Sequence, residues 1–217
     1  MSDRRTRGGN KASDTNAKQV VSDTLQVCPP LANAQGGWSA ANPAQLALNV
    51  NLANGGWEVI LAVIHEAGKY VSLDLSACAM DGTEFDPGSG NNGAYKVTAL
   101  VLPNTATSIE GKYWAYNGFT ILASISGSGI ETVGEEAFYR CVRLASVSLP
   151  AAPPAISNIF YYTYDFRNTS RVIVSVPTGA VPAYTSKWGV SATTAANSAL
   201  DVYGYDHVAV TITDAAE

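Results

Sequence analysis

The sequence predicts a repeat solenoid, in which short parallel strands stack into a curved sheet and turns, 3₁₀ turns or short helices lead from each strand to the next. One hydrophobic motif, apolar-x-x-apolar-x-apolar, recurs along the chain, and three of its copies are followed by proline. The copies begin at Tyr70, Val97, Leu122, Leu144 and Arg171, in steps of 27, 25, 22 and 27 residues. A period of about 20 to 50 residues is typical of proteins whose units bury their apolar faces only against their neighbours.

Apolar residues at alternate strand positions predict two buried columns. Because side chains of a strand point to opposite faces in turn, the second and third apolar positions of each copy share one face. The first column contains Leu73, Leu100, Ile125, Val147 and Val174, and the second contains Leu75, Leu102, Leu149 and Val176. Gly127 stands where the second column requires an apolar side chain, so we expect a gap in the core there.

The segments between the strands also correspond to one another. Proline has no backbone N–H to donate to a neighbouring strand, so it is tolerated directly after a strand, where that hydrogen bond is not needed. A proline at this position marks the point at which the chain leaves the sheet. These prolines are Pro103, Pro150 and Pro177. Residues 109–119 and 133–141 share an alanine, an aromatic residue and a further apolar residue. We expect each to form a short helical or 3₁₀ turn whose aromatic ring fills the core behind a strand.

A strand and a helix before the repeats predict an N-terminal cap. Residues 44–52 alternate between apolar and polar side chains, which indicates a half-buried strand. Residues 56–68 predict a helix that ends at Gly68, a residue suited to the left-handed C-terminal position. The apolar face of this helix consists of Trp57, Ile60, Leu61 and Ile64.

Four regions follow from these patterns. We expect a disordered tail at 1–30, the N-terminal strand and helix cap at 31–68, about five repeat units at 69–177 and a C-terminal cap at 178–217. In the C-terminal cap we expect a short helix at 181–188, a loop at 191–200 and a final cap strand at 207–213.

The longest repeat phrase resembles a known family. It reads Ile130-x-x-Val133-Gly134-x-x-Ala137-Phe138-x-x-Cys141-x-x-Leu144-x-x-Val147-x-Leu149-Pro150. This phrase is similar to the BspA-like, or Treponema pallidum-type, leucine-rich repeat, and the resemblance covers about half of the chain. It implies a leucine-rich-repeat solenoid of the kind found in surface or secreted adhesion proteins, including spirochaete members. Because such proteins lack catalytic residues, it also implies that this chain is not an enzyme.

Composition and charge exclude several classes of protein. Hydrophobic residues make up 47% of the chain and charged residues 14%, which is too apolar for a disordered protein. The net charge is −5, and an acidic chain without a basic stripe does not suggest nucleic acid as a partner. We recognise neither a signal peptide nor a transmembrane segment of about 20 apolar residues. Three cysteines without metal-ligand spacing predict no zinc site, while a bridge between Cys28 and Cys78 stays open.

Few residues suit catalysis or a cofactor. His65 and His207 lie in opposite caps of the predicted fold, so a catalytic triad or a histidine metal site lacks its parts. The acidic stretch 81–88 is either an ordinary loop or a weak calcium site, and its spacing does not match an EF-hand. The glycine-rich stretch 88–93 lacks the lysine of a phosphate-binding loop. We therefore predict no catalytic residues, no metal and no cofactor.

The exposed face of the strands is the first candidate binding surface. Its residues are small and mostly uncharged, namely Ser72, Asp74, Ala99, Val101, Ser124, Ser126, Ser146, Ser148, Ile173 and Ser175. Such a face lacks the large anchors of tight interfaces, so it fits either a binding surface or the plain solvent face of a scaffold. The second candidate is the aromatic stretch 160–166, in which Tyr162 and Tyr164 belong either to a C-terminal pocket or to packing against the cap.

Two functions follow from these expectations. The first is a non-enzymatic protein-interaction or adhesion module of a bacterial cell-envelope or surface protein, whose partner is a host or envelope protein. The second is a carrier of a small apolar ligand, held either in the core gap at Gly127 or in the aromatic C-terminal pocket.

Overall fold

The computed structural model describes ten stretches of the chain. They are residues 36–88, 93–111, 118–134, 137–138, 141, 143–149, 152–153, 171–188, 195–196 and 209–214. The predicted tail at 1–30, Cys28, His207 and the aromatic stretch with Tyr162 and Tyr164 lie outside these residues.

The described residues form two α-helices and eleven strands. In chain order they are β1 (Ala44–Ala47), α1 (Gly56–Ala67), β2 (Val71–Asp74), β3 (Glu84–Phe85), β4 (Val97–Val101), β5 (Ser108–Ile109), β6 (Ser124–Ser126), β7 (Thr132–Val133), β8 (Ser146–Ser148), β9 (Arg171–Val176), α2 (Val181–Trp188), β10 (Ala195–Ala196) and β11 (Ala209–Asp214). A 3₁₀ turn, Ala94–Lys96, leads into β4.

The strands form one large and one small sheet. The large sheet has the order β1-β2-β4-β6-β8-β9-β11-β10, and the small sheet has the order β3-β5-β7. All neighbours are parallel except β10 and β11, which pair antiparallel. The prediction of short parallel strands in one sheet is therefore confirmed.

The register of the large sheet aligns the first predicted column. Leu73 is the partner of Leu100, and the alignment continues through Ile125 and Val147 to Val174. All five side chains are at most 2% exposed. The column is longer than predicted, since Leu46 of β1 joins one end and Ile212 of β11 joins the other.

The expected gap at Gly127 does not exist, and this prediction was wrong. A Cβ atom placed on Gly127 would lie 2.6 Å from Cγ1 of Ile130 and 3.3 Å from Cδ1 of Leu102. Ile130, which is fully buried, thus fills the space that the second column leaves open. The alignment of strand positions did not predict this role, because Ile130 lies in the turn after β6 and not in a strand.

The first position of the repeat was also misassigned in one unit. Val71 is the register partner of Val97, and a bulge follows, so that Ser72 pairs with Ala99. Thr98 is the additional residue of the bulge, and its hydroxyl donates a hydrogen bond of 2.9 Å to the carbonyl oxygen of Val71. The true equivalent of Val97 is therefore Val71 and not Tyr70.

The small sheet was not anticipated. Residues 109 and 133 were expected to begin helical or 3₁₀ turns, but they belong to β5 and β7. Each short strand buries one apolar side chain, and the three partners are Phe85, Ile109 and Val133. Of the predicted aromatic residues of the return segments, Phe138 is fully buried, whereas Tyr116 lies outside the described residues. Phe119, which aligns with Cys141, is also buried.

The N-terminal helix forms as predicted. Gly68 ends it in the left-handed conformation, with φ 66°, and its N–H donates to the carbonyl oxygen of His65. Trp57 anchors the helix, because its ring stacks at 6.3 Å on Phe119 and meets Phe85 edge-on at 5.6 Å. Its indole N–H also donates a hydrogen bond of 2.8 Å to the carbonyl oxygen of Pro87. The preceding strand is shorter than expected, although buried and exposed residues alternate as far as Leu52.

The C-terminal elements match the prediction in part. Helix α2 has the expected bounds, and β11 pairs in parallel with β9 over six residues. The stretch expected to be a loop contains a short strand, β10, which pairs with β11. Among the described residues, neither helix is long and apolar enough to cross a membrane.

Candidate functional site

Two rows of small side chains cross the exposed face of the large sheet. The first row contains Gln45, Ser72, Ala99, Ser124, Ser146 and Ile173. The second row contains Ala47, Asp74, Val101, Ser126, Ser148, Ser175 and Thr213. Neighbours within a row are about 4.8 Å apart, and the two rows are about 6.7 Å apart along each strand. All ten residues of the predicted exposed face thus belong to one continuous surface, which we call the row surface.

The row surface is partly shielded and nearly uncharged. Most of its serines are of intermediate exposure, while Ser148 is exposed and Ile173 is 40% exposed. Asp74 is the one charged residue among the described positions of the two rows. Its pKa lies below the usual value because the Ser76 side chain and then the Ser76 backbone N–H donate hydrogen bonds to the carboxylate.

A second group of candidate binding residues was not predicted from the sequence. It lies at the amino ends of β1, β2 and β4 and consists of Trp38, Lys69, Tyr70, Tyr95 and Lys96. We call this group the amino-terminal rim. Its aromatic rings are unusually accessible for such large side chains, since Trp38 is 78% exposed and Tyr95 is 41% exposed.

Lysine side chains hold the rings of the rim in place. The ammonium nitrogen of Lys69 lies 3.4 Å from the centroid of the Trp38 ring and donates a hydrogen bond of 3.1 Å to the carbonyl oxygen of Gly36. Lys69 itself is only 1% exposed, so the indole and the loop cover it. The ammonium nitrogen of Lys96 lies 4.1 Å from the Tyr70 centroid and 5.4 Å from the Tyr95 centroid. Cation–π contacts of this kind restrict both partners.

His65 of α1 extends the rim. Its Nδ1 atom lies 3.2 Å from the Tyr95 hydroxyl, and the two rings meet edge-on at 6.0 Å. His65 is exposed, so the rim joins the end of the helix to the ends of the strands.

A sequence signal for the rim did exist. Lys69 and Tyr70 directly precede β2, and Tyr95 and Lys96 directly precede β4. The same pair of residue types thus stands before two successive strands. It was overlooked because the exposed face was predicted only from positions inside the strands.

The acidic stretch 81–88 does not gather its carboxylates into a described metal site. Glu84 is part of β3, and Asp86 accepts a hydrogen bond of 2.7 Å from the backbone N–H of Gly88. In the portions of the chain that the structure describes, no group of three or more His, Cys, Asp or Glu residues could hold a metal ion.

Both described cysteines are buried thiols. Cys78 donates a hydrogen bond of 3.4 Å to the carbonyl oxygen of Leu48, and Cys141 lies in the core. Burial raises the pKa of each thiol, and the effect is strongest for Cys141. Both thiols are therefore protonated at neutral pH and poor nucleophiles. Cys78 carries a free thiol in this structure, and Cys28 lies outside the described residues.

Comparison of the chain with protein-family models, curated proteins and solved structures gives no match.

Proposed function

We propose that this chain is a BspA-like leucine-rich-repeat solenoid that works as a non-enzymatic interaction or adhesion module. Its partner is a host or envelope protein, and the chain itself belongs to a bacterial cell-envelope or surface protein. The observation that carries the proposal is the row surface, which continues over the neighbouring strands β1, β2, β4, β6, β8 and β9.

Pairing between successive units supports the solenoid part of the proposal. Strands β1, β2, β4, β6, β8, β9 and β11 of the large sheet pair in parallel, and the short strands β3, β5 and β7 pair in the same order. Successive units from β2 to β7 therefore contact each other at two places. Repeat proteins propagate a surface in this way, and they commonly use that surface for binding.

The chemistry of the row surface supports the binding part. Small side chains allow the backbone of a partner to approach closely, and uncharged hydroxyl groups are less costly to remove from water than charges. Ile173 adds an apolar residue at the β9 end, where 40% of it is exposed. A polar surface with isolated apolar residues is typical of non-obligate interfaces.

A pair of substitutions tests the proposal. Ser124→Arg combined with Ser146→Arg places two bulky charges on adjacent strands of the row surface, while Thr132→Arg places one on the exposed side of the small sheet. Retention of partner proteins from envelope and host-cell extracts is measured by quantitative mass spectrometry on the immobilised full chain.

We expect the double variant to lose at least about tenfold in retention of the main partner, the ratio that corresponds to about 1.4 kcal/mol. The Thr132→Arg variant is expected to retain it fully. Equal retention by the double variant and the unsubstituted chain would contradict the proposal, provided that circular dichroism shows both to be folded.

A further inference from the structure

The amino-terminal rim brings three aromatic rings to one end of three adjacent strands. Val71 is the register partner of both Ala44 and Val97, so the residues that precede these strands lie at the same level. The backbone N–H of Tyr70 donates a hydrogen bond of 2.8 Å to the carbonyl oxygen of Gly37, which fixes Trp38 beside it. Because neighbouring strands are about 4.8 Å apart, the rim spans about 10 Å.

The rings of the rim form a rigid platform. Lys69 is anchored to the Gly36 carbonyl and covered by the Trp38 ring, which holds the indole in one orientation with most of its surface in water. The ammonium nitrogen of Lys96 lies 4.1 Å from the centroid of the Tyr70 ring, which restricts that ring as well. A ligand that stacks on these rings therefore loses little side-chain entropy in ordering them.

The rim also carries fixed positive charge on an acidic chain. Lys96 is only partly buried, and its ammonium group offers three N–H donors. The net charge of the chain is −5, so the ammonium group of Lys96 is a local exception. The rim therefore favours a ligand that bears an anionic group.

We propose that the amino-terminal rim binds an acidic oligosaccharide of at least two sugar units. A pyranose ring presents a flat C–H face that packs on the electron-rich face of an indole or phenol ring. The neighbouring sugar unit lies about one strand spacing further along the rim. A carboxylate on this second unit forms an ion pair with the ammonium group of Lys96. The span of about 10 Å matches two sugar units.

An acidic peptide fits the same place less well. Peptide side chains that anchor an interface usually enter concave pockets, whereas the rings of the rim stand out from the ends of strands. This site lies outside the row surface, and it does not depend on the proposed protein-binding role.

Titration calorimetry on the full chain tests the proposal. The acidic probes are tetragalacturonate, a hyaluronan tetrasaccharide and sialyllactose. Galactotetraose serves as the neutral sugar, and pentaglutamate serves as the acidic peptide. We expect saturable binding of at least one acidic sugar, at least about tenfold tighter than binding of galactotetraose or pentaglutamate.

Matched variants assign the binding to the rim. Trp38→Ala and Lys96→Met are expected to weaken binding of the acidic sugar at least about tenfold. Trp38→Phe and Lys96→Arg are expected to restore most of it, since the first keeps a ring and the second keeps a charge. Thr132→Ala on the small sheet is expected to have no effect.

Three results would overturn the proposal. They are the absence of saturable binding to all three acidic sugars at millimolar concentration, equal binding of pentaglutamate or galactotetraose, and unchanged binding by both Trp38→Ala and Lys96→Met. None of these results depends on whether Ser124 and Ser146 mediate protein binding, so the two proposals fail separately.

Discussion

The two faces of the large sheet are built from the same strands but are specified very differently. On the inner face, one apolar position of each strand aligns from Leu46 to Ile212 and is almost completely buried. On the outer face, serine alternates with alanine, valine, aspartate and isoleucine at equivalent positions. Packing therefore restricts the inner residues, while solvent leaves the outer residues free to vary. A binding function is most easily acquired on the face that stability does not restrict.

The largest expected difference between the faces concerns the central strands. Leu100→Ala leaves a cavity in the aligned column and is expected to lower the free energy of unfolding by about 2 to 5 kcal/mol. Ser124→Ala on the adjacent strand is expected to change it by no more than about 0.5 kcal/mol. Urea denaturation of both variants measures the difference. Similar losses for both substitutions would mean that the outer face also contributes to stability.

The next largest effect concerns the contact between Gly93 and helix α1. A Cβ atom on Gly93 would collide with the backbone carbonyl of Leu61, and a backbone cannot move aside as a side chain can. We expect Gly93→Ala to lower the free energy of unfolding by about 2 to 3 kcal/mol.

Gly68→Ala is the matched control, because Gly68 has a positive φ of 66° but no atom within 4 Å of the added Cβ. Its cost is expected to be about 1 kcal/mol from the backbone conformation alone. Thermal or urea denaturation ranks the two variants, and a larger loss for Gly68→Ala would refute the close packing at Gly93.

A smaller effect depends on pH and on the buried thiols. The pKa of Cys141 is raised by burial, so the folded protein keeps this proton at a pH where the unfolded chain loses it. The stabilisation is complete below the ordinary thiol pKa of 9.0 and falls as pH rises above it. The slope is expected to reach about 1.4 kcal/mol per pH unit. Denaturation between pH 7 and 10 should show a shallower decline for Cys141→Ala.

The smallest effect belongs to the outer face. The pKa of Asp74 is lowered by hydrogen bonds from Ser76, so its contribution to stability is present above its ordinary pKa of 3.8 and lost as pH falls below it. Asp74→Asn removes this contribution, so it should lower stability slightly at pH 7 and make stability less sensitive to acid. Acid titration followed by circular dichroism measures this. A large loss at pH 7 would show that Asp74 has a structural role that its surface position does not suggest.

The sequence predicted those parts of the fold in which one local pattern is sufficient. The alternation of apolar and polar residues correctly predicted that Leu73 aligns with Leu100. The helical spacing of apolar residues correctly predicted α1 and its end at Gly68. The prediction failed where contacts between residues outside one local pattern determine the structure. Ile130 fills the space beside Gly127 from a turn, and the bulge at Thr98 shifts the register by one residue. Neither has a signature within its own strand.

The candidate sites were predicted unevenly for a related reason. The row surface follows from strand periodicity, so Ser124, Ser126, Ser146 and Ser148 could be placed before the fold was known. The rim depends on the alignment of three strand beginnings, which are separated by more than 20 residues in the chain. Its aromatic residues become a group only when the register of β1, β2 and β4 is known.

Strand β10 has a consequence for how such a chain can change in length during evolution. Every other pairing in the large sheet is parallel, so each interior strand offers its neighbour an equivalent edge. The reversed, two-residue β10 breaks this equivalence at the outer boundary and leaves little backbone for a further strand to join. A further parallel strand could therefore be inserted between neighbours such as β4 and β6 without changing the kind of edge that either strand offers, whereas a strand added next to β10 would have only two residues of described backbone to pair with.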